Sequence, residues 1–251
     1  MKTILRHTIF WIVVAAFVVV TALLVQIASD RNRETTCTEL QTNIRDSLGF
    51  VTEAQIKESL DNFYGQYIGE RLADVNLTKI EKIISSKGAV KGCQAWTTND
   101  GVLHLDITQR RPVLRLQNGD SGFYADETGY IFPLDARYTA PVPVVEGSIP
   151  AAAREPGNRW LKDILSMMAY IKKSRTWSEQ IQKVTVRSNG DLVIFPSEGQ
   201  ERFILGAPSD FVEKFARIEK YYSTIRPEMP ENYYKTVNVK YSGQIICRKD
   251  I

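Results

Sequence analysis

Histidine is nearly absent and cysteine is scarce, with two of the former and three of the latter in 251 residues. The cysteines, Cys37, Cys93 and Cys247, stand far apart with no C-x-x-C among them, which excludes a cysteine zinc site on spacing. No H-E-x-x-H, P-loop or G-x-G-x-x-G occurs, so zinc hydrolysis and nucleotide chemistry lack their usual ligands. The net charge of +3 is not gathered into any Lys/Arg cluster, which argues against nucleic acid as a partner. Repeats and low-complexity tracts are missing too, and 43% hydrophobic with 24% charged residues is an ordinary globular composition. One string, Gly119-Asp120-Ser121-Gly122, copies the surroundings of a chymotrypsin-like nucleophile, but such a serine needs a histidine base and an orienting acid. His7 borders an apolar run and His104 falls in a predicted strand without the partner motif, so the string reads as a polar turn. Scattered carboxylates such as Glu155 and Asp163 fit solvated positions, and Trp160 and Trp177 fit core or interface anchors. The expectation is a protein with no catalytic residues, no cofactor, no metal and no small-molecule substrate.

Charge is also missing from one long stretch. Between Arg6 and Asp30 only His7 can carry any, and Ile9 to Val20 is almost pure hydrocarbon, continued by Leu23, Leu24, Val25 and Ile27. Roughly 20 such residues make about 30 Å of helix, enough to cross a bilayer. A cleaved signal peptide would have a shorter apolar core and a small-x-small site, which Gln26-Ile27-Ala28 matches poorly. A core helix would rarely be apolar all round. The segment therefore reads as an uncleaved anchor over residues 9–28, after a short tail over 1–8. Lys2 and Arg6 before it nearly balance Arg31 and Arg33 after it, so flanking charge leaves the direction open.

The rest of the chain is long enough for two small domains or one large one. From residue 34 to 111 the pattern is β-α-α-β-β. Cys37–Ile44 reads as a strand with Leu40, Thr42 and Ile44 on one face. Thr52-Glu53-Ala54-Gln55 is a capping box opening a helix whose apolar stripe is Ile56, Leu60 and Phe63. Thr78-Lys79-Ile80-Glu81 reads as a second box, opening a helix with Ile80, Ile83 and Ile84 inward and Gly88 after it. Val90–Trp96 and Val102–Gln109 then form a hairpin across Asn99-Asp100-Gly101. Two helices on one face of a three-stranded sheet make a small α+β module, in the order of a POTRA domain. In an exported domain one disulfide is open to the cysteines, Cys37 with Cys93 if those lie on neighbouring strands, against three reduced buried thiols.

Residues 112–251 read as a β-rich domain with flanking helices. Short strands Val113–Leu116, Gly122–Ala125, Tyr130–Phe132 and Val142–Val145 are followed by a helix from Asn158, then strands Ile181–Arg187, Leu192–Phe195 and Glu201–Leu205. Ser209 is expected to cap a helix carrying Phe211, Phe215, Ile218 and Tyr222. The chain closes on Thr236–Tyr241, a clean alternation, then Ser242-Gly243, read as a hairpin turn or a bulge, and Gln244–Cys247. A terminal strand with Val237, Val239 and Tyr241 on one face can offer unpaired backbone to a partner strand, and Lys240 and Arg248 would select an acidic one. The other reading of that strand is internal, with both edges already paired.

These features together resemble the bacterial FtsQ/DivIB cell-division family: a short tail, one span, a POTRA-like module and a β-rich unit, in that order. The strings that carry the resemblance are Leu105-Asp106-Ile107-Thr108-Gln109-Arg110-Arg111-Pro112 and Phe123-Tyr124-Ala125-Asp126-Glu127-Thr128-Gly129-Tyr130-Ile131-Phe132. Val142–Gly147 and Val237–Gly243 also fit, and the Gln-Arg-Arg-Pro form with Cys37 and the closing Gln-Ile-Ile-Cys is similar to the Bacteroidetes-type branch. Gln109 stands where many members carry Glu. The resemblance implies a non-enzymatic divisome scaffold in the inner membrane, single-pass, N-terminus cytoplasmic and bulk periplasmic, at the septum. It implies binding of an FtsB–FtsL coiled-coil pair, with FtsB adding a strand at the C-terminal strand through Val237, Asn238, Val239, Lys240, Tyr241, Gln244 and Ile246. A membrane-anchored, POTRA-containing transport or translocation component is the alternative.

Overall fold

The computed structural model describes residues 11, 13–25, 35–46, 48–155 and 157–249. Residues 13–25 form a helix, α1, on which Phe17, Leu24 and Val25 are exposed. Among the described residues no helix is long and apolar enough to cross a membrane. The span expected over 9–28 runs past both ends of α1, and its residues 9, 10, 12 and 26–28, like the tail over 1–8, lie outside the described residues. The described chain divides between Gln109 and Arg110 into two units.

Unit 1 holds β1 (Glu39–Ile44), α2 (Glu53–Phe63), α3 (Leu77–Ser85), β2 (Val90–Thr97) and β3 (Val102–Gln109). The sheet order is β1-β3-β2, with β1 parallel and β2 antiparallel to β3. Strict alternation on β3 buries Leu103, Leu105 and Ile107. Ile56 and Leu60 of α2 and Ile80 and Ile84 of α3 are buried with them, each contributing roughly 1.5–3 kcal/mol of transfer free energy. The expected capping box at Thr52 and Gln55 is formed. The second one is not: α3 is capped by Asn76, whose Oδ1 accepts from the Lys79 N–H at 2.9 Å. Glu81 is engaged elsewhere, its carboxylate accepting from the Ala95 N–H of β2 at 2.8 Å. Phe63 departs from its expected stripe as well. It is the last residue of α2 and is 71% exposed.

Unit 2 is one nine-stranded mixed sheet in the order β12-β11-β10-β9-β8-β7-β4-β5-β6. Its strands are β4 (Pro112–Asn118), β5 (Ser121–Asp126), β6 (Ile131–Pro133), β7 (Val144–Gly147), β8 (Ile181–Val186), β9 (Leu192–Pro196), β10 (Arg202–Gly206), β11 (Thr236–Asn238) and β12 (Ile246–Arg248). The helices are α4 (Arg159–Lys173), α5 (Arg175–Gln180) and α6 (Phe211–Lys220). Leu161, Ile164, Met167 and Ile171 of α4 and Phe215 and Ile218 of α6 share one core with Leu116, Val145, Val184, Ile194, Phe203 and Val237 from the strands. Asn158 caps α4 as its side chain requires, accepting from the Leu161 N–H. α6 starts differently from expectation: the cap position is Asp210, in the left-handed region at φ 53°, and no side chain caps it. The loop there is held instead by the buried Lys214, whose ammonium donates to the Ala207 and Ser209 carbonyls at 2.8 and 2.6 Å. Burial pulls the Lys214 pKa down.

Candidate functional site

A nine-stranded sheet has two edges, and here they differ. β6 is three residues long and ends on Pro133, which has no N–H to offer a neighbour. β12 carries no proline, and no strand lies beyond it among the described residues. The edge is built up from β10. Phe203 of β10 pairs with Val237 of the parallel β11, and Val237 pairs in turn with Cys247 of the antiparallel β12. The Arg202 N–H donates to the Lys235 carbonyl at 2.9 Å and the Lys235 N–H to the Arg248 carbonyl at 3.0 Å, tying β10, β11 and β12 in series.

The strand expected over Thr236–Tyr241 is therefore not the edge but follows the other reading, internal with both edges paired. Val237 and Val239 are fully buried, and β11 ends at Asn238. The Val239 N–H donates to the Ile204 carbonyl and its own carbonyl accepts from Arg217 Nε, both at 3.0 Å. Asn238 Oδ1 accepts from the Lys240 N–H at 2.9 Å, a local side-chain bond of the kind that ends strands. Lys240 is also committed. Its Nζ lies 2.7 Å from Asp191 Oδ1, and its stem runs so close over Gly206 that a Cβ there would meet Lys240 Cγ at 2.7 Å. The hydrogen bond and charge of Asp191 raise the Lys240 pKa. The physical reason for the difference is pairing: the chain turns after Lys240 and lays β12 along the outer side of β11, so both backbone edges of β11 are taken.

After Lys240 the chain makes a hairpin turn, not a bulge. Gly243 adopts φ 69°, the Gln244 N–H donates to the Tyr241 carbonyl at 3.4 Å, and the chain returns antiparallel as β12. Tyr241 stands 51% exposed at the turn, with Gln244 exposed beside it. On the returning strand Ile245 and Cys247 pack against the core, Ile246 is half-buried and Arg248 is exposed. Lys249 sits over the Tyr233 ring at 3.8 Å. Of the residues singled out in the sequence, Gln244 and Ile246 thus lie on the edge hairpin with Tyr241, and Val237, Asn238 and Val239 lie on the strand segment beneath it. The Ser242-Gly243 turn, left open in the sequence between a hairpin and a bulge, makes Ile246–Arg248 the outermost strand, with Arg248 its exposed cation.

The other singled-out residues fall into structural roles. Cys37 precedes β1, whose Glu39 pairs with Val102, whereas Cys93 pairs with Ile107. β1 and β2 flank β3 on opposite sides, so the condition for a Cys37–Cys93 bridge is not met, and all three cysteines are free. Burial pushes the Cys93 thiol up to about 11 and raises Cys37 and Cys247 as well, which keeps them un-ionised and slow as nucleophiles at neutral pH. Ser121 opens β5 opposite Asn118 and donates its hydroxyl to the Asn118 carbonyl at 3.0 Å, as a turn residue does.

Asp126, in the string Tyr124-Ala125-Asp126-Glu127-Thr128-Gly129-Tyr130, organises its turn. Its Oδ1 accepts from the Thr128 N–H, the Thr128 hydroxyl and the Tyr130 N–H at 2.9, 2.6 and 3.0 Å, and Arg110 donates to Oδ2 at 3.1 Å. The Arg110 guanidinium stacks 3.5 Å from the Tyr130 ring centroid. Burial pushes the Asp126 carboxyl up, but the hydrogen bonds from Thr128, Tyr130 and Arg110 outweigh it and hold the pKa below its ordinary value.

Two family models match the chain. One, described as FtsQ/DivIB, C-terminal related, covers residues 111–248, and the other, a POTRA-like domain, covers residues 35–108. None of the curated proteins compared with the chain matches it.

Proposed function

Because the chain belongs to the FtsQ/DivIB-related family, through a match over residues 111–248, we propose that it is a cell-division scaffold that works by binding and not by catalysis. In this reading residues 9–28 anchor it in the inner membrane with the N-terminus cytoplasmic, and the two units stand on the periplasmic side at the septum. An FtsB-like segment adds as a tenth strand along β12, and an FtsL-like chain comes with it as a coiled-coil partner. The observation that carries the proposal is the open edge of β12 beside a blunted edge at β6. Strand addition draws affinity from main-chain hydrogen bonds, each worth about 0.5–1.5 kcal/mol net, and specificity from alternate side chains. Arg248 and Lys249 favour an acidic added strand.

The test is amide hydrogen exchange of the detergent-solubilised full chain, with and without a peptide from the FtsB-like partner. Slower exchange over residues 245–249 is expected. Unchanged exchange there in the presence of bound peptide would overturn the site. Depletion in cells separates the scaffold from a transport component: filaments are expected, whereas normal septation with a damaged envelope would favour transport.

A further inference from the structure

Unit 1 carries a second surface, on its helical layer. Between α2 and α3 lies a concavity of about 300 Å³, lined by Ser59, Phe63, Lys79, Lys82, Ile83 and Lys87 among others. Its apolar wall is Phe63, which is 71% exposed although Ile56 and Leu60 on the same stripe are fully buried. Leaving such a ring in water forgoes roughly 1.5–3 kcal/mol. The α3 side of the concavity is cationic: three lysines and no carboxylate line it. Lys79 leans back on α2, with Nζ 3.3 Å from the Tyr64 carbonyl and 4.8 Å from the Tyr64 ring. The nearby acids do not neutralise this rim from within. Glu81 is turned to the Ala95 N–H of β2, and Glu58 and Asp61 of α2 are outside the lining.

We propose that this groove docks an acidic segment of a partner protein, which seats one large apolar side chain against Phe63 and Ile83. Its size is at the lower limit of the roughly 300–1,000 Å³ of binding pockets, room for an anchoring side chain and little more. Three lysines around an apolar floor select a negative partner by charge complementarity and place its apolar residue at the centre. A bilayer surface is a poorer fit, since membrane-binding helices present a projecting apolar face and not a hollow. The surface is on a different unit from β12, and the inference does not rest on strand addition there.

The test places photoreactive benzoylphenylalanine at Phe63 in the full chain, in cells, and maps the crosslinked segment by mass spectrometry. The expected product joins a protein segment with more Asp and Glu than Lys and Arg around a large apolar residue. Its yield should fall about tenfold, the loss of some 1.4 kcal/mol, when Lys82→Glu and Lys87→Glu are added, with thermal unfolding unchanged. If the reversed pair lowers the melting temperature, Lys82→Gln with Lys87→Gln takes its place. Crosslinks to lipid, to a second copy of the chain or to a basic segment, a yield indifferent to both lysine pairs, or no crosslink would each overturn the proposal.

Discussion

Gln109 and Val51 are joined by a hydrogen bond that only an amide at position 109 can complete without conflict. The Val51 N–H donates to Gln109 Oε1 at 3.0 Å, while Gln109 Nε2 donates to the Asp46 and Leu48 carbonyls, both at 2.8 Å. The side chain is almost fully buried, so one glutamine ties the end of β3 to the loop ahead of α2. A carboxylate there would set an oxygen against two carbonyls.

Gln109→Glu is therefore expected to destabilise unit 1 by about 2–4 kcal/mol, from two lost donors and a buried charge. Urea unfolding followed by circular dichroism reads this directly. Burial would raise the new carboxyl's pKa, so the deficit should shrink as pH falls and the group protonates.

Asp126 gives the opposite pH dependence. Its folded pKa lies below its ordinary value, so its stabilisation is complete above about pH 4–5 and is lost as pH falls through the folded pKa. Asp126→Asn removes both that dependence and the charge facing Arg110. Its cost at neutral pH is expected to be roughly 2–4 kcal/mol, and the gap to the parent should close in acid, measured as melting temperature against pH.

At the sheet edge, Arg248→Glu and Tyr241→Ala should each weaken capture of the FtsB-like partner by about tenfold or more while leaving the melting temperature within a few degrees. Lys240→Glu should behave differently. It places a second carboxylate beside Asp191, so it lowers the melting temperature as well as capture.

Glu201 is nearly fully buried, and its Oε1 accepts from Tyr221 Oη and Arg226 Nε, both at 3.3 Å. Truncating Arg226 leaves that carboxylate with the tyrosine hydroxyl as its remaining hydrogen-bond donor. Arg226→Ala is expected to cost about 2–4 kcal/mol, discounted because the arginine is partly exposed, with Tyr221→Phe costing about 1–2 kcal/mol. Denaturant midpoints of the two single variants and the double variant would measure how far they share one interaction.

Periodicity made most elements of both units legible where one face is clearly buried, as on β3 and α4, whereas the six-residue α5 is too short to show a period and is not among the expected elements. Leu103, Leu105 and Ile107 could belong to nothing but a half-buried strand. Caps were harder, since Thr78 and Asn76 are both competent acceptors and tertiary pairing decided between them by drawing Glu81 to β2. The site was legible as a region and not as a strand. Val237 and Val239 announce a buried face, but which side of β11 is open depends on the strand after the next turn, and no local signal carries that pairing. Phe63 illustrates the converse: its spacing says core, while its place at the end of α2 leaves it in solvent.

The proline that closes β6 has a consequence for self-association. Copies of this chain that met edge to edge could join β12 to β12, a two-fold contact that closes on itself. An open fibre would need each copy to offer a different edge to the next, β12 to β6, and Pro133 withholds a donor from that second junction. With strand addition at β12 as proposed, Pro133 leaves the β12-to-β12 pair as the contact with a full set of donors, and that contact stops at two copies.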